Sequence, residues 1–187
     1  MNFCSHCGAP VIWRIPGGET AARFVCTECG TVHYQNPKVV AGCIAEWQGR
    51  VLLCRRAIEP RYGAWTLPGG FMENGETTAA AAARETLEEA NAVVRDLVLY
   101  TLFSLPHINQ VYMLFRGQLE TQHAHAGAES LEVRLCEEGQ IPWHELAFPV
   151  IRETLVLYFD DRLRGSFPVR VGDIVQGKDD HFVARHY

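Results

Sequence analysis

The sequence predicts an α+β fold preceded by a small cysteine-rich segment, and three observations support this. Apolar and β-branched residues fill two runs at 38–46 and 50–55, and the Trp-Gln-Gly between them is typical of a hairpin. Five consecutive alanines begin at Ala79, and alanine is the strongest helix former. Two C-x-x-C-G repeats precede both segments. We therefore expect strands and helices in one domain and the cysteines in a separate N-terminal unit.

The remaining elements follow from composition and period. Three further runs have strand character: 93–103, 110–119 and, with weaker alternation, 131–136. A helical region is predicted to begin within 143–148. It continues over 151–163, where Ile151, Leu155, Tyr158 and Phe159 form one apolar helix face. The tail at 165–187 is predicted to be either a strand pair or an ordered extension.

Bulk composition excludes several classes of protein. The 187 residues are 48% hydrophobic and 21% charged, which fits one globular domain with a small appendage. The formal net charge of −5 provides no broad basic surface, so we expect neither nucleic acid nor anionic lipid as a partner. No run is apolar enough for a membrane span, and the first residues do not resemble a signal peptide. These features predict a cytoplasmic protein.

The paired cysteines are spaced as metal ligands. Cys4, Cys7, Cys26 and Cys29 offer four thiolates, and eighteen residues separate the two pairs. This spacing is typical of a zinc ribbon, in which a closed tetrahedral Zn²⁺ stabilises a segment too small to fold alone. A redox dithiol or a disulfide pair is the alternative, but the repeated motif favours zinc. His6 and His33 are expected to stay outside the ligand set because four cysteines fill it.

Three glutamates share one face of the helix predicted from about residue 77. Glu85, Glu88 and Glu89 stand at i, i+3 and i+4, where like charges repel. A hard divalent cation such as magnesium would reverse that repulsion, because it binds clustered oxygen ligands. A solvated helix face is the alternative interpretation. The preceding Gly69 and Gly70 favour a site, because glycine lets the backbone approach a ligand closely.

The segment from Gly70 to Glu89 resembles the signature of the Nudix hydrolase family, G-x5-E-x7-R-E-U-x-E-E-x-G-U, where U is a bulky aliphatic residue. The matching positions are Gly70, Glu76, Arg84, Glu85, Glu88 and Glu89. Thr86, Asn91 and Ala92 depart from the pattern. Asparagine is the mildest change, since it also tolerates the left-handed conformation that ends helices. Thr86 and Ala92 are expected to weaken packing beneath the helix without touching the chemistry.

The resemblance implies a fold, a reaction and roles for residues. The fold would be a Nudix α/β/α sandwich with a mixed sheet, at 37–164, between the zinc ribbon at 1–36 and a C-terminal extension at 165–187. The reaction would be hydrolysis of a nucleoside diphosphate linked to another moiety, with Mg²⁺ or Mn²⁺ as catalytic cofactor. Glu85, Glu88 and Glu89 would hold the metal, with the Gly70 carbonyl as a further ligand. Arg84 would orient these glutamates, and Glu76 would anchor Arg84.

A loop beyond this segment is expected to add a carboxylate. Nudix enzymes often draw a further metal ligand or a base from such a place, which makes Glu129 a candidate ligand and Glu132 a candidate catalytic residue. The alternative is a solvated turn. His123 and His125 resemble a metal pair but lie in a polar loop, and we interpret them as surface residues. Cys43, Cys54 and Cys136 lie in apolar runs and are expected in the core.

The substrate is predicted from wider resemblance. A zinc ribbon before a Nudix domain resembles the NADH pyrophosphatases, but residues 102–110 lack their S-Q-P-W-P-F-P-x-S segment. The chain is more similar to the plant-chloroplast FAD pyrophosphatase group and its bacterial relatives, through residues 4–30, 34–38, 65–68, 129–132 and 146–148.

This similarity implies a small-molecule dinucleotide substrate, FAD, with ADP-ribose or NADH as the alternatives. A non-catalytic nucleotide sensor is a further alternative, and a homodimer is compatible with the family. Several aromatic residues are candidates to stack on the substrate, although each also suits a core position: Tyr62, Phe71, Phe103 and Tyr112.

Overall fold

The computed structural model describes residues 1–177 and 182–187 and divides the chain into two compact units, Met1–Pro37 and Lys38–Tyr187. In the first unit, three short strands form an antiparallel sheet: β1 (Val11–Arg14), β2 (Arg23–Cys26) and β3 (Val32–His33). This unit has a very small apolar core. Its buried apolar residues are Cys4, Val25 and Cys26. A segment with so small a core needs another source of stability.

The second unit is a mixed sheet with a helix on each face. Its strands are β4 (Lys38–Trp47), β5 (Arg50–Arg56), β6 (Trp65–Thr66), β7 (Gly69–Phe71), β8 (Val94–Leu105), β9 (Gln110–Leu119), β10 (Ser130–Cys136), β11 (Arg170–Gln176) and β12 (Phe182–His186). Its helices are α1 (Thr78–Ala90) and α2 (Pro149–Arg164). The strand order is β10-β5-β4-β9-β8-β11-β12, with β6 on β5 and β7 on β4. The pairs β4–β9 and β8–β11 are parallel, which makes the sheet mixed as expected.

The two sheet faces carry different side chains. Small residues of β4, including Ala41, Cys43 and Ala45, pack against Ala81 and Ala82 of α1. Larger side chains on the opposite face, such as Ile44 and Leu53, pack against α2. Successive strand residues point to opposite faces, so one strand serves both cores. The small residues allow α1 to lie close to the sheet.

Helix α1 begins and ends as its sequence predicts. The Thr77 hydroxyl accepts a hydrogen bond from the Ala80 amide at 3.1 Å, which caps the first turn. Asn91 ends the helix in the left-handed conformation with φ of 48°. Thr86 is fully buried and donates its hydroxyl to the Ala82 carbonyl at 2.7 Å, so its polar atom is satisfied inside the helix. The thiols of Cys43 and Cys54 are buried as expected, and burial raises their pKa.

One element differs from the sequence prediction, and the tail takes one of its two predicted forms. Residues 143–148 are not helical, and α2 begins only at Pro149, whose fixed φ suits the first position of a helix. Instead, the Ala147 amide donates to the Trp65 carbonyl at 2.8 Å, which ties this segment to the edge of the sheet. The tail forms a strand pair, and β11 joins the main sheet beside β8. No helix within the described ranges combines the length and apolar character needed to cross a membrane.

Candidate functional site

The expected carboxylates of α1 line one large cavity. The cavity measures about 1090 Å³ and is bordered by Glu85, Glu88 and Glu89 together with Gly69 and Gly70 of β7. Burial raises the pKa of Glu85, and the adjacent carboxylates of Glu88 and Glu129 add to the rise. A volume of this size suits a ligand as large as a dinucleotide.

Arg84 links the carboxylates. Its Nε and Nη2 donate to Glu76 at 3.1 and 2.9 Å, while Nη1 donates to Glu85 at 2.8 Å and to Glu88 at 2.9 Å. The Arg84 guanidinium lowers the pKa of Glu76, and the bond from the Glu73 amide assists. Because Glu76 holds one edge of the guanidinium, the other edge can fix the rotamers of Glu85 and Glu88.

Gly70 is required by the close approach of β7 to α1. A Cβ added at Gly70 would lie 2.5 Å from both carboxylate oxygens of Glu85. Any side chain there would displace the carboxylate from its position. Glycine at this place therefore allows the backbone of β7 to lie against the Glu85 carboxylate.

Glu89 is the most buried member of the cluster. Its side-chain carboxylate accepts a hydrogen bond from the Gly69 amide at 3.2 Å, and the residue is only 6% exposed. Burial raises the pKa of Glu89 to about 8, and the nearby carboxylates of Glu85 and Glu129 contribute to the rise. The fold by itself therefore disfavours a charged Glu89 carboxylate, and the donors of the cluster are all hard oxygens that suit Mg²⁺ or Mn²⁺.

The segment 121–129, called here the Glu129 loop, is held on the end of α1. The Gly127 amide donates to the Glu89 carbonyl at 2.9 Å, and a Cβ at Gly127 would lie 1.7 Å from the Glu88 carbonyl oxygen. Glu129 lines the cavity with the α1 carboxylates. His123 and His125 lie in this loop without lining the cavity. The loop thus brings Glu129 to the cluster from a distant part of the sequence.

Glu132 lies outside the cavity, although we expected it to be a catalytic residue of the site. Its carboxylate accepts a hydrogen bond from Arg134 at 2.7 Å, and Glu132 does not line the cavity. Strand alternation explains the difference, because Glu132, Arg134 and Cys136 point to one face of β10. Cys136 belongs to the core under α2, which is the face away from α1.

The four candidate aromatic residues are separated by the fold. Phe71 and Tyr112 line the cavity, and Phe71 is 48% exposed. Phe103 is fully buried in the core under α2, while Tyr62 is exposed outside the cavity. Phe71 is therefore the candidate whose ring faces solvent at the cavity.

Sequence reasoning missed several other residues that line the cavity. They include Arg56 at the end of β5, Phe148 before α2, and Ile174 and Phe182 from the C-terminal strands. Arg56 could have been noticed as a charge closing a buried apolar strand. The contribution of β11 and β12 has no local sequence signal, since it depends on the parallel pairing of β11 with β8.

The N-terminal cysteines converge as a zinc ribbon requires. The ligand atoms of Cys4, Cys7, Cys26 and Cys29 lie within 4.8 Å of one another. The Sγ–Sγ distances are 3.7 Å for Cys4–Cys29 and 3.4 Å for Cys7–Cys26. Four sulfurs at the usual Zn–S distance around one ion are separated by about 3.8 Å, so this donor set fits zinc. The His33 Nε2 lies 3.3 Å from the Cys4 Sγ as a hydrogen-bonding neighbour.

Comparison with known proteins agrees with both units. Residues 2–35 match the Nudix N-terminal zinc ribbon family, and residues 35–158 match the NUDIX domain family. The crystal structure of a NUDIX hydrolase from Nitrosomonas europaea is 56% identical and covers 94% of this chain and 99% of that chain, with a TM-score of 0.90.

Two curated relatives are more distant. The NAD-capped RNA hydrolase NudC of Yersinia enterocolitica is 27% identical over 86% of this chain and 63% of its own length. The uncharacterized Nudix hydrolase YvcI of Bacillus subtilis is 30% identical over 57% of this chain and 65% of its own length. The chain thus spans less than two thirds of these relatives. Matches along both units, together with the fold and the arrangement of the α1 carboxylates, establish that the chain belongs to the Nudix hydrolase family and carries an N-terminal zinc ribbon.

Proposed function

We propose that the protein hydrolyses the diphosphate bond of a dinucleotide, with FAD as substrate and FMN and AMP as products. The observation that carries this proposal is the opening of the α1 carboxylates into a cavity of about 1090 Å³. Carboxylates at one side can act on a diphosphate, while the remaining walls provide room for the two halves of the substrate.

Glu85, Glu88 and Glu89 are proposed to hold Mg²⁺ or Mn²⁺, with the Gly70 carbonyl and Glu129 as further ligands. The clustered oxygen donors and the raised pKa of Glu89 support this assignment. When bound, such a cation neutralises the diphosphate and makes water a stronger nucleophile. The Zn²⁺ of the ribbon is proposed to be structural, because four cysteines leave no open coordination position.

The protein's own residues position the reaction. Arg84 holds Glu85 and Glu88 in fixed rotamers, and Glu76 keeps Arg84 in place through two hydrogen bonds. Such preorganised charge stabilises a transition state without rearrangement during the reaction. Phe71, exposed at the cavity, offers a face for a purine or flavin ring.

FAD is preferred because of the wide sequence resemblance to the FAD pyrophosphatase group. An NAD-type substrate is the second candidate, since the Yersinia relative is named as an NAD-capped RNA hydrolase. A formal net charge of −5 favours a free dinucleotide over RNA. A purely regulatory domain is less favoured because the full carboxylate set of the Nudix signature is present.

The test is a comparison of kcat/KM for FAD, ADP-ribose, NADH and NAD-capped RNA with Mg²⁺ and with Mn²⁺. This ratio reports differential transition-state binding, and we expect FAD to give the highest value. Glu88→Gln and Glu89→Gln should each lower hydrolysis by about 10²-fold or more, as removal of a charge at such a site typically does. Glu120→Gln is the matched control, because Glu120 is exposed and does not line the cavity. Equal turnover by all four proteins would reject the site, and a clear preference for NADH would reject FAD.

A further inference from the structure

The charged residues that line the cavity come from one part of the chain. Within the described ranges, every lining residue that is Asp, Glu, Lys or Arg lies at 56–89 or is Glu129. The lining residues at 105–114, at 147–151, at 174–176 and at 182 include none of these types. The cavity therefore has a charged part, which suits a diphosphate and its cation, and an uncharged part, which suits a neutral group.

The order of the strands separates the C-terminal part of the lining from the acidic cluster. The backbone of β7 lies against the Glu85 carboxylate, and β7 pairs with β4. From β4 the sheet continues through β9, β8 and β11 to β12. Neighbouring strands are spaced by about 4.8 Å, so β11 lies about 19 Å and β12 about 24 Å from β7 across the sheet. A ligand with its diphosphate at the acidic cluster must therefore be long to reach the C-terminal strands.

An apolar floor spans the strands between these two ends. Val40, Leu105, Tyr112 and Ile174 come from β4, β8, β9 and β11, and all four belong to one hydrophobic cluster. Each of them also lines the cavity. Val40 and Tyr112 are register partners across β4 and β9, so their side chains point to the same face of the sheet. The floor therefore extends from β4 to β11 on the face that packs against α2.

Phe182 and Ile108 leave apolar surface open at the C-terminal strands. Phe182 of β12 is 40% exposed, and Ile108, in the turn Pro106–Ile108 after β8, is 46% exposed, although both line the cavity. The Phe182 ring centre lies 5.2 Å from that of His107 in the same turn, so two rings from separate segments support each other. Exposed apolar surface is unfavourable in water, and a flat aromatic ligand would cover it.

The flavin half of FAD has the length and the chemistry that this part of the cavity requires. Its isoalloxazine ring is joined to the phosphate through an open ribityl chain, whereas adenine and nicotinamide are joined through a closed ribose. The flavin ring therefore reaches further from the diphosphate than either of the other two rings. It is also larger and neutral, and its dimethylbenzene edge is apolar, as the exposed side chains are.

We propose that Phe182, His107, Ile108 and Ile174 bind the isoalloxazine ring of FAD. This assignment rests on the proposed function, because it takes FAD as the substrate. The strands β11 and β12 lie beyond residue 158, where the match to the NUDIX domain family ends. The C-terminal strand pair thus selects FAD over ADP-ribose and NADH, while the family's own segment supplies the hydrolysis. Phe182 is a specificity residue and takes no part in bond cleavage.

The test measures the binding of FMN and of AMP to the full-length protein in Mg²⁺, by flavin fluorescence and by calorimetry. Both ligands carry one phosphate, so a difference between them reports the ring half. Phe182→Ala should raise the Kd of FMN about fivefold or more, as loss of apolar contact does, and leave the Kd of AMP unchanged. Phe182→Leu should give an intermediate Kd of FMN, since it keeps apolar area but lacks the ring. Val183→Ala is the matched control, because Val183 is exposed and does not line the cavity.

The outcomes separate this inference from the proposed function. An unchanged Kd of FMN in Phe182→Ala, or an equal loss of AMP binding, overturns the flavin site even if the wild type hydrolyses FAD. A wild type that cleaves no dinucleotide rejects the proposed function, while a selective loss of FMN binding in Phe182→Ala still supports the site. If Phe182→Ala does not fold, Phe182→Leu decides the question, and a Kd of FMN equal to that of the wild type would then reject contact with the ring.

Discussion

The Asn91 side chain donates a hydrogen bond from Nδ2 to the backbone carbonyl of His125 at 3.1 Å. Asn91 ends α1, and His125 lies in the Glu129 loop, 34 residues further along the chain. The His125 amide returns a bond to the Ala90 carbonyl at 2.9 Å. These two hydrogen bonds connect the end of α1 to the Glu129 loop. Asn91 is also where the chain departs from the glycine of the Nudix signature, and its amide makes a contact that glycine cannot make.

Replacing Asn91 by glycine should loosen the Glu129 loop. Glycine keeps the left-handed conformation but removes the amide donor, so we expect a loss of about 1 kcal/mol in the free energy of unfolding and weaker Mg²⁺ or Mn²⁺ binding. Urea unfolding and metal titration measure the two effects. Asn109→Gly is the control, because Asn109 has φ of 53° and its side chain makes no hydrogen bond with residues 1–177 or 182–187. Equal effects of both substitutions would show that the Asn91 amide is unimportant.

Loss of one ribbon cysteine should release zinc and unfold the N-terminal unit. In Cys26→Ser the tetrahedral donor set of Cys4, Cys7, Cys26 and Cys29 is incomplete, and Met1–Pro37 has little buried apolar area to replace it. We expect one zinc per chain in the wild type by elemental analysis, far less in the variant, and rapid proteolysis confined to the first unit. Cys43→Ala, buried under α1, should keep its zinc. A wild type free of zinc would contradict the prediction.

Stability without added Mg²⁺ or Mn²⁺ should depend on pH through Glu89. Burial raises the pKa of Glu89 from 4.5 to about 8 in the folded protein, so the unfolded chain releases this proton first. Protonation of Glu89 therefore contributes fully to the free energy of unfolding below pH 4.5. This contribution, on the order of a few kcal/mol, is lost as the pH rises through 8. Urea unfolding from pH 5 to pH 9 checks this, and Glu89→Gln should flatten the decline. Parallel pH profiles for the two proteins would reject the assignment.

Truncating Phe182 should weaken substrate binding. Phe182 lines the cavity, and its ring centre lies 5.2 Å from that of His107, another lining residue. Phe182→Ala removes apolar contact from the cavity lining, so we expect KM for the dinucleotide to rise several-fold with kcat nearly unchanged. Val183→Ala is the control, because Val183 is exposed and does not line the cavity. A fall in kcat without a change in KM would contradict a binding role.

Local sequence patterns predicted the acidic cluster well but not the cavity. Glu85, Glu88 and Glu89 follow from helical spacing, since a helix places i, i+3 and i+4 on one face. The position of Glu132 depends on the register of β10, because a shift of one residue turns each side chain to the other face of the sheet. The segment at 143–148 has helical composition, yet backbone pairing of Ala147 with Trp65 holds it in another conformation. Arg56, Ile174 and Phe182 meet only through tertiary pairing, which no window of the sequence contains.

The cavity joins parts of the chain that are far apart in sequence. Val40 of β4 and Phe182 of β12 border the same space although 142 positions separate them, the difference between 182 and 40. By contrast, α1 lies within a few residues of β7, its neighbour in the acidic cluster. Contacts between distant segments carry a larger loop-closure entropy and form late in folding. Glu85, Glu88 and Glu89 can therefore meet β7 at a small loop-closure cost, whereas the cavity lining is complete only when β11 and β12 join the sheet.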